Sequence, residues 1–281
     1  MKFGLSSLAW QSPFSNPMEI FAKAKKYGCD LYEICVEDFD SIDVNEISEA
    51  KAKFQIETPT ICGAFGDTRD ISSDNPEYRQ GGIEYIKGMV DLAVKIDCKV
   101  IVGPMYSACG KARQISEEEK KQQWDWAVEN MKIVAAYAKE RGIRFAVEPL
   151  NRFETDFINT VDQALELIRR VGADNVGILL DTFHMNIEES NIVEAIRKAG
   201  DKIYHFHTCA NNRGIPGEDN FDWDAISKAI KEVGYDDYCV IESFTPDCKE
   251  IAKSASVWRT FAESPEAIPE KGIPFLRKTF A

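Results

Sequence analysis

The sequence predicts an α/β fold, a single (β/α)8 (TIM) barrel over residues 1–281, on three observations. Short apolar runs alternate with longer helical patterns along the whole chain, eight times over. Those runs are apolar on both faces, as are the strands of a parallel sheet covered by helices. The 281 residues are close to the roughly 250 usual for one such barrel, and no linker, low-complexity stretch or charge block divides them.

The elements follow in order. FGLSSLA (3–9) reads as the first strand, and Pro17 to Tyr27 as a helix opening on Asn16-Pro17, a good cap and first-turn pair. LYEICV (31–36) precedes a helical stretch at 44–54, and TPTICG (58–63) precedes another from Pro76 to Ile96. KVIVGP (99–104) leads into an amphipathic segment from Ser116 to Arg141, which opens on the capping-box pair Ser116 and Glu119. RFAVEP (144–149), VGILLD (176–181), IYHFHT (203–208) and YCVIES (238–243) then alternate with helices at 161–171, 191–199 and 223–233. The segment from Ile251 onward supplies the eighth helix.

The last four strands share a feature that apolar strands lack. Each ends on a metal-competent side chain: Glu148, Asp181, His207 and Glu242. Such groups are usually solvent-exposed, so four of them closing apolar strands need a reason. In a barrel these ends converge on the C-terminal face, where barrel enzymes keep their active sites. Neighbouring strands lie about 4.8 Å apart, so adjacent ends can surround one ion. Three carboxylates and an imidazole suit a divalent metal such as Mn²⁺, Co²⁺ or Mg²⁺, and suit zinc less well. His205, two residues before His207, faces the same side one layer deeper and reads as a core or supporting histidine. His184 falls in the loop after Asp181, overhanging the site.

The strings VEPLNRFE (147–154), LLDTFHMNIEE (179–189), HFHTCANNRGIPG (205–217) and VIESF (240–244) resemble the ketohexose 3-epimerases, the D-tagatose and D-psicose (allulose) 3-epimerase group of xylose-isomerase-like barrels. The likeness runs from Lys2 to Arg259 and is densest between 145 and 245. It implies that Glu148, Asp181, His207 and Glu242 bind one divalent ion, Mn²⁺ first, and that Glu148 and Glu242 double as the catalytic acid/base pair. It further implies that Glu154, His184 and Arg213 hold the sugar hydroxyls at C1 to C3, and that the enzyme is a homodimer or homotetramer. The residues suit that chemistry, because inverting a carbon beside a ketone needs one group to remove a proton and another to return one. At the far end of the sugar the chain departs from the group. GPMYSACGK (103–111) lacks the tryptophan found there in those members, and SSLAWQSPF (6–14) offers Trp10 and Phe14 in place of a tyrosine–tryptophan pair. Phe244 is retained, so Phe244 and Trp10 are the expected apolar contacts.

Composition narrows the alternatives. Thirty-four Lys and Arg against 47 Asp and Glu leave a net charge of −13, which argues against a nucleic-acid surface and against a metal-dependent DNA endonuclease. An aldose–ketose isomerase, a sugar or cyclitol lyase and a non-catalytic sugar-binding protein stay open. So does a sugar-phosphate epimerase, whose anion anchors would be Arg213, Arg152, Lys111 and Arg113. The eight cysteines are scattered without a CxxC pair, and the N-terminus has no secretory pattern, so a reduced cytoplasmic protein without a membrane segment is expected.

Overall fold

The computed structural model describes residues 1–281, the side chains of Glu250, Ile251 and Ser254 excepted. Eight parallel strands close into a barrel in sequence order. They are β1 (Lys2–Ser6), β2 (Leu31–Val36), β3 (Thr60–Gly63), β4 (Val100–Gly103), β5 (Arg144–Val147), β6 (Val176–Asp181), β7 (Ile203–Thr208) and β8 (Tyr238–Ile241). Closure comes from β1 lying against β8, with Gly4 opposite Val240. All six residues of β2 and all six of β6 are buried, as a sheet covered on one side by helices and filled on the other by side chains requires.

The helices are α1 (Pro17–Lys26), α2 (Val44–Phe54), α3 (Pro76–Lys95), α4 (Glu117–Lys139), α5 (Val161–Val171), α6 (Thr182–Glu188), α7 (Ile192–Ala199), α8 (Trp223–Glu232), α9 (Lys249–Ser254) and α10 (Ala267–Thr279). Their ends obey local chemistry. Ser116 and Glu119 form the expected capping box on α4, and Thr160 and Gln163 form a second on α5. Among the described residues, no helix is long and apolar enough to cross a membrane.

Three sequence expectations are corrected. The first run is a strand only to Ser6; Ser7–Ala9 turn into a short 3-10 helix that carries the chain over the barrel mouth. The final helix is not continuous from Ile251, because the short α9 and an irregular stretch precede α10. The segment after Asp181 is not a loop but α6, and Asp181 caps it by accepting from the backbone N–H of Phe183 and His184.

One irregularity decides what the site contains. The pairing of β6 with β7 runs Ile178 to Ile203 and then Leu179 to His205, so Tyr204 is an extra residue on β7. Without that bulge, counting on from Ile178 would set Phe206 opposite Asp181. With it, His207 stands there. A one-residue slip in a strand turns every side chain to the other face, so the bulge is what aims His207 inward. Gly177 leaves the room for it, because a Cβ there would lie 2.5 Å from the Tyr204 ring and 2.6 Å from the Lys202 carbonyl oxygen. Gly177→Ala is therefore expected to destabilise the barrel by about 1–3 kcal/mol, the range for a forced small-to-large change in a packed site. Urea unfolding reads this directly; an unchanged midpoint would show that the bulge tolerates a methyl group.

Candidate active site

β5 to β8 present their C-terminal ends side by side. Asp181 is the last residue of β6, and His207 lies opposite it one residue before the end of β7. Glu148 and Glu242 each stand one residue beyond their strand, tied to the neighbouring strand by backbone bonds to Gly103 and Thr208. All four side chains are buried. His207 Nδ1 is 3.6 Å from Glu242 Oε2, 3.8 Å from Asp181 Oδ2 and 3.9 Å from Glu148 Oε1. One ligand atom from each of the four lies within 4.8 Å of the others. Donors around one divalent ion sit about 2.0–2.6 Å from it, so this spacing suits a single ion. Glu148 Oε1 and His207 Nδ1 are buried without a hydrogen-bond partner, which is costly unless something binds them. Donor set, spacing and orphaned atoms all fit a divalent metal.

Charge is offset within the protein by Arg213. Its Nη1 lies 2.6 Å from Asp181 Oδ2 and 3.0 Å from Glu242 Oε2, and its guanidinium sits between the rings of Phe183 and Phe244, 4.5 and 4.7 Å from their centroids. The backbone of Arg213 is left-handed at φ +69°, a conformation that costs energy for a non-glycine residue and here turns the side chain back into the barrel. Burial and the neighbouring Glu242 push the Glu148 carboxyl well above the usual carboxylate range. Burial acts on Glu242 in the same sense, but His207 and Arg213 outweigh it and leave that carboxyl below its ordinary value. Burial opposes a proton on His207, yet Glu33 and Glu242 override it and hold one there. A divalent cation held there would lower these values and take the place of that proton.

Glu148 and Glu242 line a cavity of about 320 Å³, together with Glu154, His184, Arg213 and Phe244. Glu154 is buried, accepts a hydrogen bond from Asn151 Nδ2 at 2.7 Å, and is raised in pKa by burial against the pull of Arg213. His184, in the first turn of α6, accepts at Nδ1 from the backbone N–H of Asn151 at 3.0 Å, and burial keeps it neutral. Its Nε2 lies 3.0 Å from Arg213 Nη2 and 3.6 Å from Glu148 Oε1 and borders the cavity. Arg213 Nε is a buried donor with no partner among the described residues.

Trp10 does not join them. It is absent from the cavity lining, stacks on Tyr32 with ring centroids 5.8 Å apart, and donates to the carbonyl of Pro265. Phe14 is likewise packed on Tyr32. The rest of the lining includes Leu8, Cys35, Cys62, Ala64, Phe65 and Ala255, together with the charged Glu37 and Arg69. The 103–111 loop folds inward because the Tyr106 hydroxyl donates to the carbonyls of Glu148 and Ile158 and because Lys111 pairs with the buried Asp70 at 2.7 Å. Cys109 thereby comes to lie 3.8 Å from Glu154 Oε2. Besides Glu37 and Arg69, which line the cavity, two further polar residues beside the site escaped the sequence reading. Asn151 sat unremarked within the VEPLNRFE string, and Glu33 is a lone carboxylate in the middle of the apolar run LYEICV, a visible signal.

Comparison with known proteins gives this architecture its class. The family model described as the xylose isomerase-like TIM barrel matches residues 21–279. A probable ketose 3-epimerase of Synechocystis is 34% identical over 281 residues, covering 100% of this chain and 97% of that protein. A D-psicose 3-epimerase of Ruminiclostridium cellulolyticum is 31% identical over 262 residues, 92% of this chain and 89% of that protein. Among solved structures, an L-ribulose 3-epimerase superposes with a TM-score of 0.93 at 27% identity, over 99% of this chain and 94% of its own. The chain belongs to the ketose 3-epimerase family of xylose isomerase-like barrels, enzymes of the isomerase class.

The buried quartet predicts a thermal response. Ligand at a hundred times its Kd stabilises by about 2.7 kcal/mol, which for a chain of this length is roughly 5 °C in Tm. Adding Mn²⁺ to chelator-stripped protein is expected to raise Tm by about that amount, and to do so much less in Asp181→Asn, as read by calorimetry. Equal shifts in both proteins would remove Asp181 from the ligand set.

Proposed function

We propose that this chain inverts C3 of a free ketose (D-psicose/D-fructose, D-tagatose or a ketopentose) by removing the C3 proton from one face and returning one to the other through a cis-enediolate. One observation carries the reading: two buried carboxylates, Glu148 and Glu242, reach the same cavity from β5 and β8, three strands apart around the rim. Simple sugar binding needs no such pair; a two-sided proton transfer does.

In this reading one ionised glutamate takes the C3 proton while the other, protonated, supplies one from the opposite face. Both are fixed by backbone bonds and by the packed barrel end, so little reorganisation is needed when the proton moves. His184 and Arg213, the latter with its unpartnered Nε, hold the hydroxyl or carbonyl oxygens near C1 to C3. Glu154 accepts from a hydroxyl there, steadied by Asn151. Phe244 covers the sugar ring face and, with the guanidinium it stacks on, keeps water from the reacting carbon. The divalent ion that Glu148, Asp181, His207 and Glu242 would hold, Mn²⁺ ahead of Co²⁺ or Mg²⁺, supplies a Lewis acid for the ketose oxygens.

A free sugar is favoured over a phosphorylated one because each anion anchor suggested by the sequence is already engaged by a carboxylate. Arg152 pairs with Glu188 at 3.0 Å, Arg113 with Asp156 at 3.0 Å, Lys111 with Asp70 at 2.7 Å, and Arg213 with Asp181 and Glu242. The same reading takes residues 1–281 as one barrel domain. It acts as a homodimer or homotetramer in the cytoplasm, whose reducing conditions suit eight free thiols, with a small sugar as partner and neither nucleic acid nor membrane.

A panel of free ketohexoses and ketopentoses incubated with the Mn²⁺-loaded protein and followed by NMR tests the proposal. C3 epimers are expected from at least one free ketose. Glu148→Gln and Glu242→Gln are each expected to cut kcat at least about a hundredfold, since general acid/base groups contribute 10²–10⁴. No C3 epimer from any sugar, with metal bound, would overturn the activity; normal turnover in either variant would remove that residue from the proton transfer.

A further inference from the structure

Glu33, the third residue of β2, is fully buried and lies across the barrel interior from β7, with β8 and β1 between them on the wall. Its two oxygens reach two imidazoles. Oε1 is 2.9 Å from His207 Nε2 in a hydrogen bond, and Oε2 is 2.9 Å from His205 Nε2, although that contact lacks hydrogen-bond alignment. The His205 ring stands edge-on to His207, centroids 4.9 Å apart and planes at 81°, and so walls the second imidazole into place. The remaining nitrogen of His207, Nδ1, is the one that faces Glu148, Asp181 and Glu242.

A neutral imidazole carries one proton, on one nitrogen or the other. A carboxylate accepts from an imidazole N–H, and Glu33 presents its two oxygens to the two imidazole Nε2 atoms at 2.9 Å each. Glu33 thus places the imidazole proton on Nε2 and leaves the Nδ1 lone pair aimed at the three other carboxylates. The carboxylate also raises the basicity of the ring it holds.

We propose that Glu33 is a positioning residue for the metal centre, holding His207 in the tautomer and orientation that make Nδ1 a ligand. This rests on the reading that Glu148, Asp181, His207 and Glu242 bind a divalent ion. Glu33 touches neither substrate nor ion; it acts through His207, and it ties the ligand-bearing half of the barrel to the half that carries none.

The test is Mn²⁺ binding to chelator-stripped protein, read from the electron paramagnetic resonance of free Mn²⁺, in wild type, Glu33→Gln and Glu33→Leu. Removing the partner of a metal-bound histidine typically weakens metal binding 10–100-fold. Glu33→Gln keeps an acceptor without its charge and is expected to weaken binding about tenfold; Glu33→Leu is expected to approach a hundredfold. If Glu33→Leu fails to fold, Glu33→Gln carries the test. Long-range ¹H–¹⁵N spectra of Mg²⁺-loaded wild type are expected to show the His207 proton on Nε2. A purely structural role would lower stability to urea and leave the Mn²⁺ affinity of the folded variants equal to wild type; that result, or a His207 proton on Nδ1, overturns the proposal. Two ions per wild-type chain with one lost in Glu33→Leu would make Glu33, His205 and His207 a second metal site and also overturn it. If wild type itself binds no divalent ion, the metal reading fails and takes this proposal with it.

Discussion

Everything at the open end of this barrel answers to one electrostatic constraint. Glu148, Asp181, Glu242 and Glu33 are four buried carboxyl groups around a single imidazole, His207. Taking an ion out of water costs several kcal/mol even after the protein relaxes, so such a cluster persists only where its charge is matched. Arg213 supplies one matching charge from within the chain, and its strained backbone is the conformational cost of reaching inward. His207 supplies a second by standing between Glu33 and the other three. A divalent cation is the remaining counter-charge that this donor set fits, and the catalytic proposal follows from the surplus of carboxylate oxygens left around it.

The barrel positions this cluster with ordinary backbone devices. Parallel strands in sequence order bring four consecutive ends together, and the bulge at Tyr204 sets His207 rather than Phe206 across from Asp181. Asp181 divides its oxygens between two tasks, Oδ1 capping α6 and Oδ2 meeting Arg213. The cap in turn sets His184 in a helical first turn over the cavity. Loss of any one device displaces several groups, because packed interiors pass displacements on instead of absorbing them.

Much of this was legible in the sequence for a physical reason: an ionisable group at the end of an apolar strand is a local anomaly. Glu148, Asp181, His207 and Glu242 each show it, and α2 and α5 follow from the pattern of the chain to the residue, the cap of α4 from its Ser116 and Glu119 pair. What escaped depended on pairings between distant segments. The Tyr204 bulge exists only relative to β6, so one strand read alone does not show it. Trp10 looked like a sugar contact because it follows the first strand, but Ser7–Ala9 wind into a turn that carries its ring onto Tyr32. Glu33 was visible as a carboxylate within LYEICV, but its meaning required His205 and His207, some 170 residues away in the chain.

Among the sugar chemistries such a barrel site could carry out, the position of the labile proton separates one from another. Incubating metal-loaded enzyme with its ketose in D2O and locating the incorporated deuterium by NMR bears most directly on the roles given to Glu148 and Glu242. Proton transfer by two carboxylates across C3 predicts deuterium at C3, appearing only with metal present. Deuterium confined to C1 or C2, or none at all in a metal-loaded enzyme with sugar bound, would contradict it.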